Sequence, residues 1–236
     1  MSNLLPPVIK LKRIALDLLF PQWCIGCGKE GAYICESCRR LLPLIKSPVC
    51  EMCGRPHSGG ALCPGCIGGQ AVIEGIRAPF LFDGVIRQAI HELKYRNLRA
   101  LAIPLAELLY KYIADNPLPG EVLVPVPLHL KRYSERGYNQ SSLLAKKLGK
   151  LSGLPVIDNC LVRRRHTLAQ ARSADVNERK SNVVDAFDCL DERLKDKQVL
   201  LIDDVATSGA TLNACARAVK SAGAASVWGL VIAVEP

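Results

Sequence analysis

The sequence predicts an α/β fold in which helices cover both faces of a parallel sheet, preceded by a small cysteine-rich module. Three observations lead to this prediction. Strand-like apolar runs alternate with helix-like segments from about residue 78 onwards. These runs are continuously apolar, as is typical of strands buried on both faces. Eight of the 11 cysteines lie between residues 24 and 66, ahead of the alternation.

Composition excludes several classes of protein. With 236 residues the chain can hold one or two domains, and 49% hydrophobic residues are too many for a disordered chain. No apolar run approaches the ~20 residues of a bilayer helix, and basic residues interrupt the first 20. We therefore expect no membrane span and no signal peptide. This predicts a cytoplasmic protein, in which clustered cysteines usually bind metal.

The net charge of +9 is concentrated in one segment. Residues 129–180 contain 12 basic and 4 acidic side chains, a net charge of +8. Such a segment can be a solvated basic surface, a nucleic-acid footprint or a site for a polyanionic small molecule.

The chain divides into three predicted parts. Residues 1–22 contain an amphipathic helix over 8–19, which we expect to pack on the body of the protein. Residues 23–70 are rich in Cys, Gly and Pro and need metal ions to stabilise so small a core. Residues 71–236 carry the α/β pattern.

The α/β part has a predicted order of elements. Helices are expected at 99–114, 138–150 and 211–223, and strands at 121–127, 155–158, 199–203 and 226–234. The run at 85–95 leads into the first helix, where Pro104 should lie near a start or a kink. Gly223 is a good C-cap for the last helix.

The cysteine-rich module contains four CxxC pairs, in which two thiolates reach one ion from a tight turn. The eight predicted ligands are Cys24, Cys27, Cys35, Cys38, Cys50, Cys53, Cys63 and Cys66. They are enough for two closed, structural zinc sites. Sequential pairing, first with second and third with fourth, is favoured because short loops close at a smaller entropy cost. A cross-braced pairing is the alternative.

A second motif, VLLIDDVATSGAT, spans residues 199–211. An apolar strand delivers Asp203 and Asp204 to its carboxyl end, and a loop of small residues then leads into a helix. Small residues let backbone N–H groups approach an anion, and a helix N-terminus favours negative charge. The motif therefore predicts a phosphate site beside two carboxylates at the carboxyl edge of the sheet.

This motif resembles the phosphoribosyl pyrophosphate (PRPP) motif of the type I phosphoribosyltransferases. The resemblance implies that Asp203 and Asp204, the catalytic candidates, hold the ribose hydroxyls while the loop binds the 5′-phosphate of Mg²⁺-bound PRPP. The implied PRPP-binding residues of this motif are Asp203, Asp204, Val205, Ala206, Thr207, Ser208, Gly209, Ala210 and Thr211. Arg136 and Gly137, which follow the strand at 121–127, resemble the family's pyrophosphate loop. The basic segment 161–187 lies where the family has a flexible loop that closes over the substrate.

The whole chain from about residue 20 resembles the ComF family of competence-associated, phosphoribosyltransferase-like proteins. The residues that carry this resemblance are the cysteine quartets, LKYRN (93–97), VPVPLHLKRYSERGYNQ (124–140), the Arg-rich segment and IDDVATSGAT (202–211). It implies a role in DNA uptake during natural transformation, with PRPP, DNA and DNA-uptake proteins as partners. The alternative is an active Mg²⁺-dependent phosphoribosyltransferase of nucleotide metabolism. Because the first cysteine, Cys24, belongs to a metal knuckle, we expect no glutaminase half.

Overall fold

The computed structural model describes residues 21–163 and 187–236. The predicted helix at 8–19 and nearly all of the Arg-rich segment at 161–187 lie outside the described residues. The chain forms two compact units, Met1–Leu42 and Pro43–Pro236. The predicted three-part division, at residues 22 and 70, stays a prediction.

The first unit is organised around its cysteines. One short helix, α1 (Glu36–Arg40), begins directly after Cys35. The thiols of Cys24 and Cys38 lie in the interior of this unit, whereas Cys27 is exposed. Few apolar side chains are buried with them, so metal ligation rather than a hydrophobic core must stabilise the unit.

The larger unit is the α/β domain. Its helices are α2 (Gly84–Tyr95), α3 (Ala102–Asp115), α4 (Leu130–Arg136), α5 (Gln140–Ser152) and α6 (Ala210–Ser221), with 3₁₀ turns at Arg99–Leu101 and Glu192–Leu194. Its strands are β1 (Gly75–Arg77), β2 (Phe80–Leu81), β3 (Val122–Pro125), β4 (Leu161–Arg163), β5 (Phe187–Cys189), β6 (Gln198–Ala206) and β7 (Ser226–Val234). No described helix has both the length and the apolar character needed to cross a membrane.

The main sheet is parallel throughout. Its order is β1-β7-β6-β3, and β2 also pairs with β7. The central strands β6 and β7 are almost completely buried because helices lie over both faces of the sheet. Strands β4 and β5 form a separate antiparallel pair. The predicted fold class, a parallel sheet flanked by helices with an N-terminal cysteine module, is confirmed.

Helix packing follows the apolar periodicity of each helix. In α2 the buried residues recur at three- and four-residue spacing (Ile86, Ala89, Ile90 and Leu93), which places one face of the helix in the interior of the domain. Asp83 caps this helix by accepting a hydrogen bond from the N–H of Gly84. The helix predicted at 99–114 begins as a 3₁₀ turn and continues as α3, with Pro104 in its first turn as expected.

Two sequence predictions were wrong in detail. Residues 155–158 form a single bridge between Val156 and Leu123 rather than a strand. Pro155 has no N–H to extend the ladder, and Asn159 turns the chain with a φ of 65°. Residues 130–136, expected as a loop, form helix α4, which Gly137 ends in the left-handed conformation at a φ of 74°.

The sheet register determines where the polar residues meet. Pro125, the last residue of β3, lies opposite Ile202, and Asp203 follows immediately on β6. The segments that leave β3 and β6 therefore start side by side at the carboxyl edge of the sheet, where ligands bind in open α/β folds.

Candidate functional site

The eight cysteines of the module form two separate clusters. Cys24, Cys27, Cys35 and Cys38 form the first, and Cys50, Cys53, Cys63 and Cys66 the second, with the sulfurs of each within 4.8 Å of one another. This is the sequential pairing favoured from the sequence. The Cys27–Cys35 and Cys53–Cys63 sulfur distances are 3.6 and 3.7 Å. A tetrahedral Zn²⁺ site with Zn–S bonds of about 2.3 Å has edges of about 3.8 Å, so both clusters fit zinc.

Each cluster stabilises one thiolate before any metal binds. The backbone N–H of Cys35 donates to Sγ of Cys24, and that of Cys63 donates to Sγ of Cys50, both at 3.3 Å. Burial alone would raise the pKa of Cys50, but backbone N–H groups outweigh it and lower the pKa to about 6. The pKa of Cys24 is also lowered to about 6. Thiolate is the form that binds metal, so each cluster offers a first ligand at neutral pH.

The acidic pair lies at the carboxyl end of β6 with a partner for each residue. Asp203 is half-buried, and its Oδ1 accepts hydrogen bonds from the Ser141 hydroxyl (2.7 Å) and the Asp204 N–H (2.9 Å). Asp204 is buried, and its Oδ1 lies 2.8 Å from Nζ of Lys94. Its Oδ2 is buried without a hydrogen-bond partner among the described residues. A buried carboxylate oxygen without a donor indicates a site whose hydrogen bonding a bound ligand or ion would complete.

The environment of Asp203 opposes its ionisation. Burial raises the pKa of this carboxyl to about 7, and the adjacent negative charge of Asp204 acts in the same direction. The Ser141 hydroxyl and the charge of Lys94 offset only part of this effect. Hydroxyl donors or a divalent cation beside the two carboxylates would therefore stabilise their ionised forms.

The loop after β6 has the features expected of an anion site. Thr207 and Ser208 are exposed, and Gly209 adopts a φ of 74° as the N-cap of the 12-residue helix α6. Ala210 and Thr211 occupy the exposed first turn of α6. The positive φ of Gly209 favours glycine here, and a Cβ at this position would also lie 2.9 Å from Cδ1 of Ile76, so that this side chain would have to shift.

The predicted pyrophosphate side lies at the junction of α4 and α5. Arg136 is half-buried; it donates to Gln140 and lies over the Tyr95 ring at 5.6 Å, while Gly137 is exposed. Asn139 caps α5 by accepting from the Ser141 N–H, and its amide donates to the carbonyl of Val126. Ser141, two residues beyond this cap, is the residue that reaches Asp203. The hydrogen bond from Ser141 to Asp203 thus joins the predicted pyrophosphate side to the acidic pair.

Three residues that complete this region are brought to it only by the fold. Lys94 enters the sequence prediction only within the motif LKYRN, and in the structure it is the residue of α2 that reaches Asp204. Ser141 lies in the helix predicted at 138–150. Arg55, which the sequence offers with Arg39 and Arg40 only as a general phosphate contact, donates to the carbonyl of Thr207. Long-range contacts of this kind leave no periodic signal in a sequence.

Two protein families match different parts of the chain. The Double zinc ribbon domain matches residues 15–67, and the Phosphoribosyl transferase domain matches residues 141–234. The first match contains all eight cysteines, and the second contains the acidic pair and the loop that follows it.

Characterised relatives match nearly the whole chain. Competence protein F of Haemophilus influenzae is 30% identical over 88% of this chain and 95% of its own length. Competence protein ComFC of Bacillus subtilis is 29% identical over 84% of this chain and 82% of its own. DNA utilization protein YhgH of Salmonella typhi is 29% identical over 82% of this chain and 87% of its own.

Solved structures are more distantly similar. Adenine phosphoribosyltransferase of Leishmania tarentolae is 14% identical, covers 67% of this chain and 78% of its own, and gives a TM-score of 0.36. Glutamine PRPP amidotransferase of B. subtilis is 16% identical with a TM-score of 0.39, and the match covers 56% of this chain and 26% of that chain.

The cluster geometry predicts about two zinc ions per chain purified without chelator. Cys50→Ser removes one ligand of the second cluster and should lower the content to about one ion, because the four ligands of the first cluster are untouched. Metal analysis by inductively coupled plasma mass spectrometry measures both contents. Protein without zinc, or a Cys50→Ser variant without either ion, would contradict the two-site geometry.

The raised pKa of Asp203 predicts a pH-dependent gain in stability for Asp203→Asn. Between about pH 4 and pH 7 the unfolded carboxyl ionises more readily than the folded one, so the wild type loses stability as pH rises. The variant escapes this loss. We expect equal melting temperatures near pH 4 and a higher one for the variant, by at least about 2 °C, at pH 7.5. A variant that melts lower than the wild type at pH 7.5 would refute this assignment.

Proposed function

Since the chain belongs to the ComF family of competence proteins, we propose that it binds PRPP at the carboxyl edge of its sheet and contacts single-stranded DNA in a DNA-uptake process. The observation that carries the proposal is the pair Asp203 and Asp204, buried in part beside a loop of small residues at the start of α6. Membership of the ComF family supports a role in DNA uptake, and the acidic pair with its adjoining loop supports PRPP as the ligand.

The ribose of PRPP suits the acidic pair. Its two hydroxyls are hydrogen-bond donors, and Oδ2 of Asp204 is a buried acceptor without a partner among the described residues. Carboxylate oxygens are also ligands that suit the Mg²⁺ accompanying PRPP. Either contact offsets the burial and the negative charge of Asp204, which together keep the pKa of Asp203 high.

The 5′-phosphate suits the loop from Ala206 to Thr211. The loop offers the N–H groups of the first turn of α6 and the hydroxyls of Thr207, Ser208 and Thr211, and these residues are exposed to a ligand. The pyrophosphate then extends towards Arg136 and Gly137, because β3 and β6 are neighbours in the sheet. An arginine fork binds phosphate oxygens through two parallel hydrogen bonds.

Turnover at C1 of PRPP is the alternative activity of the same site. Mg²⁺-dependent release of pyrophosphate from PRPP, followed over time with the wild-type protein, separates the two roles. Binding without release supports a ligand-binding role, whereas release that requires Asp203 and Asp204 supports an enzyme.

The DNA contact is proposed for the surface formed by the C-terminal ends of α2 and α4. Tyr95 is 68% exposed, its ring lies 5.5 Å from that of His91, and the guanidinium of Arg136 lies over it. Exposed aromatic rings beside arginines are the usual platform for unpaired bases. Tyr138, by contrast, is buried beneath Arg99 and is not available for stacking.

The PRPP assignment predicts that Asp203→Asn combined with Asp204→Asn abolishes PRPP binding in the presence of Mg²⁺. The double variant removes both negative charges. It keeps a side-chain oxygen at position 203 that can accept hydrogen bonds from the Ser141 hydroxyl and from the backbone N–H of residue 204. Isothermal titration calorimetry measures the affinity. Asp196→Asn, an equivalent change in an exposed turn, is the control and should bind as the wild type does. No binding by the wild type, or unchanged binding by the double variant, would overturn the assignment.

The DNA assignment predicts that Tyr95→Ala weakens binding to a fluorescent single-stranded oligonucleotide by about tenfold, since stacking contributes about 1–3 kcal/mol per base. Tyr110→Ala on α3 removes a ring that is 41% exposed and serves as the matched control. Affinity should also fall between low and moderate salt because basic residues contact phosphates. Equal affinities of the two variants, or an affinity that does not change with salt, would contradict the proposal.

A further inference from the structure

The second cysteine cluster lies against the edge of the parallel sheet. The turn between Cys50 and Cys53 presents two backbone carbonyls to β1: Met52 accepts from the N–H of Ile76 at 2.7 Å, and Glu51 accepts from the Arg77 guanidinium at 2.7 Å. Strand β1 is the last strand of the sheet on this side. The metal-binding turn therefore covers a strand edge that would otherwise expose unpaired backbone groups.

This approach is close enough to require a glycine. Gly54 has a φ of 72°, and a Cβ at this position would lie 2.5 Å from the carbonyl oxygen of Ile76. Its N–H donates to the carbonyl of Cys50, and the N–H of Cys50 donates to the carbonyl of Arg55. The backbone of Arg55 thus belongs to the metal-binding turn, and the position of its side chain is set by that turn.

The side chain of Arg55 reaches the phosphate loop. Its Nη2 donates to the carbonyl of Thr207, and its Nε is buried without a hydrogen-bond partner among the described residues. Ile76 contacts both regions. Its N–H donates to the carbonyl of Met52 in the metal-binding turn, and its Cδ1 lies beside Gly209 in the phosphate loop. Arg55 and Thr207, which are 152 positions apart in the sequence, are therefore in direct contact.

We propose that Arg55 is the positioning residue of the phosphate loop and that the second cysteine cluster, through Arg55, sets the affinity for the 5′-phosphate of the ligand. In a planar trans peptide the C=O and the following N–H point in opposite directions. By holding the carbonyl of Thr207, Arg55 turns the N–H of Ser208 to the opposite side and keeps a carbonyl oxygen away from the anion. Its positive charge also favours a phosphate nearby.

This inference rests on the proposed PRPP site and makes a ligand-specific prediction. Arg55→Met should weaken ribose 5-phosphate and PRPP at least about tenfold by calorimetry, while Mg²⁺-pyrophosphate, which lacks the 5′-phosphate, keeps its affinity. Arg55→Lys retains the charge without the fork and should recover part of the affinity. Arg87→Met, an exposed arginine of α2, removes the same charge elsewhere and should bind as the wild type does. Zinc content should be unchanged in all variants.

Thermodynamic linkage supplies an independent readout. If the cluster sets phosphate affinity, bound PRPP must in turn stabilise the metal in that cluster. PRPP should therefore lower the equilibrium transfer of one of the two zinc ions to the chromogenic chelator 4-(2-pyridylazo)resorcinol. The protection should disappear in Arg55→Met.

The outcomes separate the two proposals. A wild type that binds neither ribose 5-phosphate nor PRPP overturns both the PRPP site and the role of Arg55. A wild type that binds both ligands while Arg55→Met binds them equally well overturns the role of Arg55 alone. The same holds if Arg55→Met weakens pyrophosphate as much as ribose 5-phosphate, or if PRPP protects zinc equally in both proteins.

Discussion

Two adjacent carboxylates at the end of a buried strand impose the strongest constraint in this molecule. A buried carboxylate is stable only with a cation or hydrogen-bond donors beside it. Ser141 from α5 and Lys94 from α2 supply one partner each, so two helices are anchored to the end of β6. The partnership is incomplete, because one oxygen of Asp204 has no partner among the described residues. A folded protein that leaves charge unsatisfied in this way keeps its site ready for a ligand and gives up stability to do so.

The two cysteine clusters belong to different compact units. The second cluster belongs to the larger unit, where its turn bonds to the edge strand β1 and directs Arg55 to the loop after β6. The first cluster belongs to the other compact unit, in which four thiols gather around a short helix. Two clusters with the same ligand chemistry thus serve two structural purposes. A metal ion bound to the second cluster would therefore support the α/β domain as well as the module itself.

Much of this architecture could be predicted because its signals are local. The strand at 226–234, the loop after Asp204 and the sequential cysteine pairing each follow from neighbouring residues. The errors arose where a short segment could adopt several forms: Pro155 prevented a full strand, and residues 130–136 coiled into a helix before Gly137. The partners of the acidic pair could not be found, since Lys94 and Ser141 are brought to it only by the packing of α2 and α5. Arg55 lies farther still from the loop in sequence, and nothing in its local pattern distinguishes it from other basic residues.

A crystal structure with PRPP and Mg²⁺ bound tests the central claim most directly. The account predicts that the 5′-phosphate occupies the loop between Ala206 and Thr211, that the ribose hydroxyls contact Asp203 and Asp204, and that Arg55 remains on the carbonyl of Thr207. PRPP bound elsewhere on the chain, or crystals that exclude it at saturating concentration while the loop is open to solvent, would contradict the account.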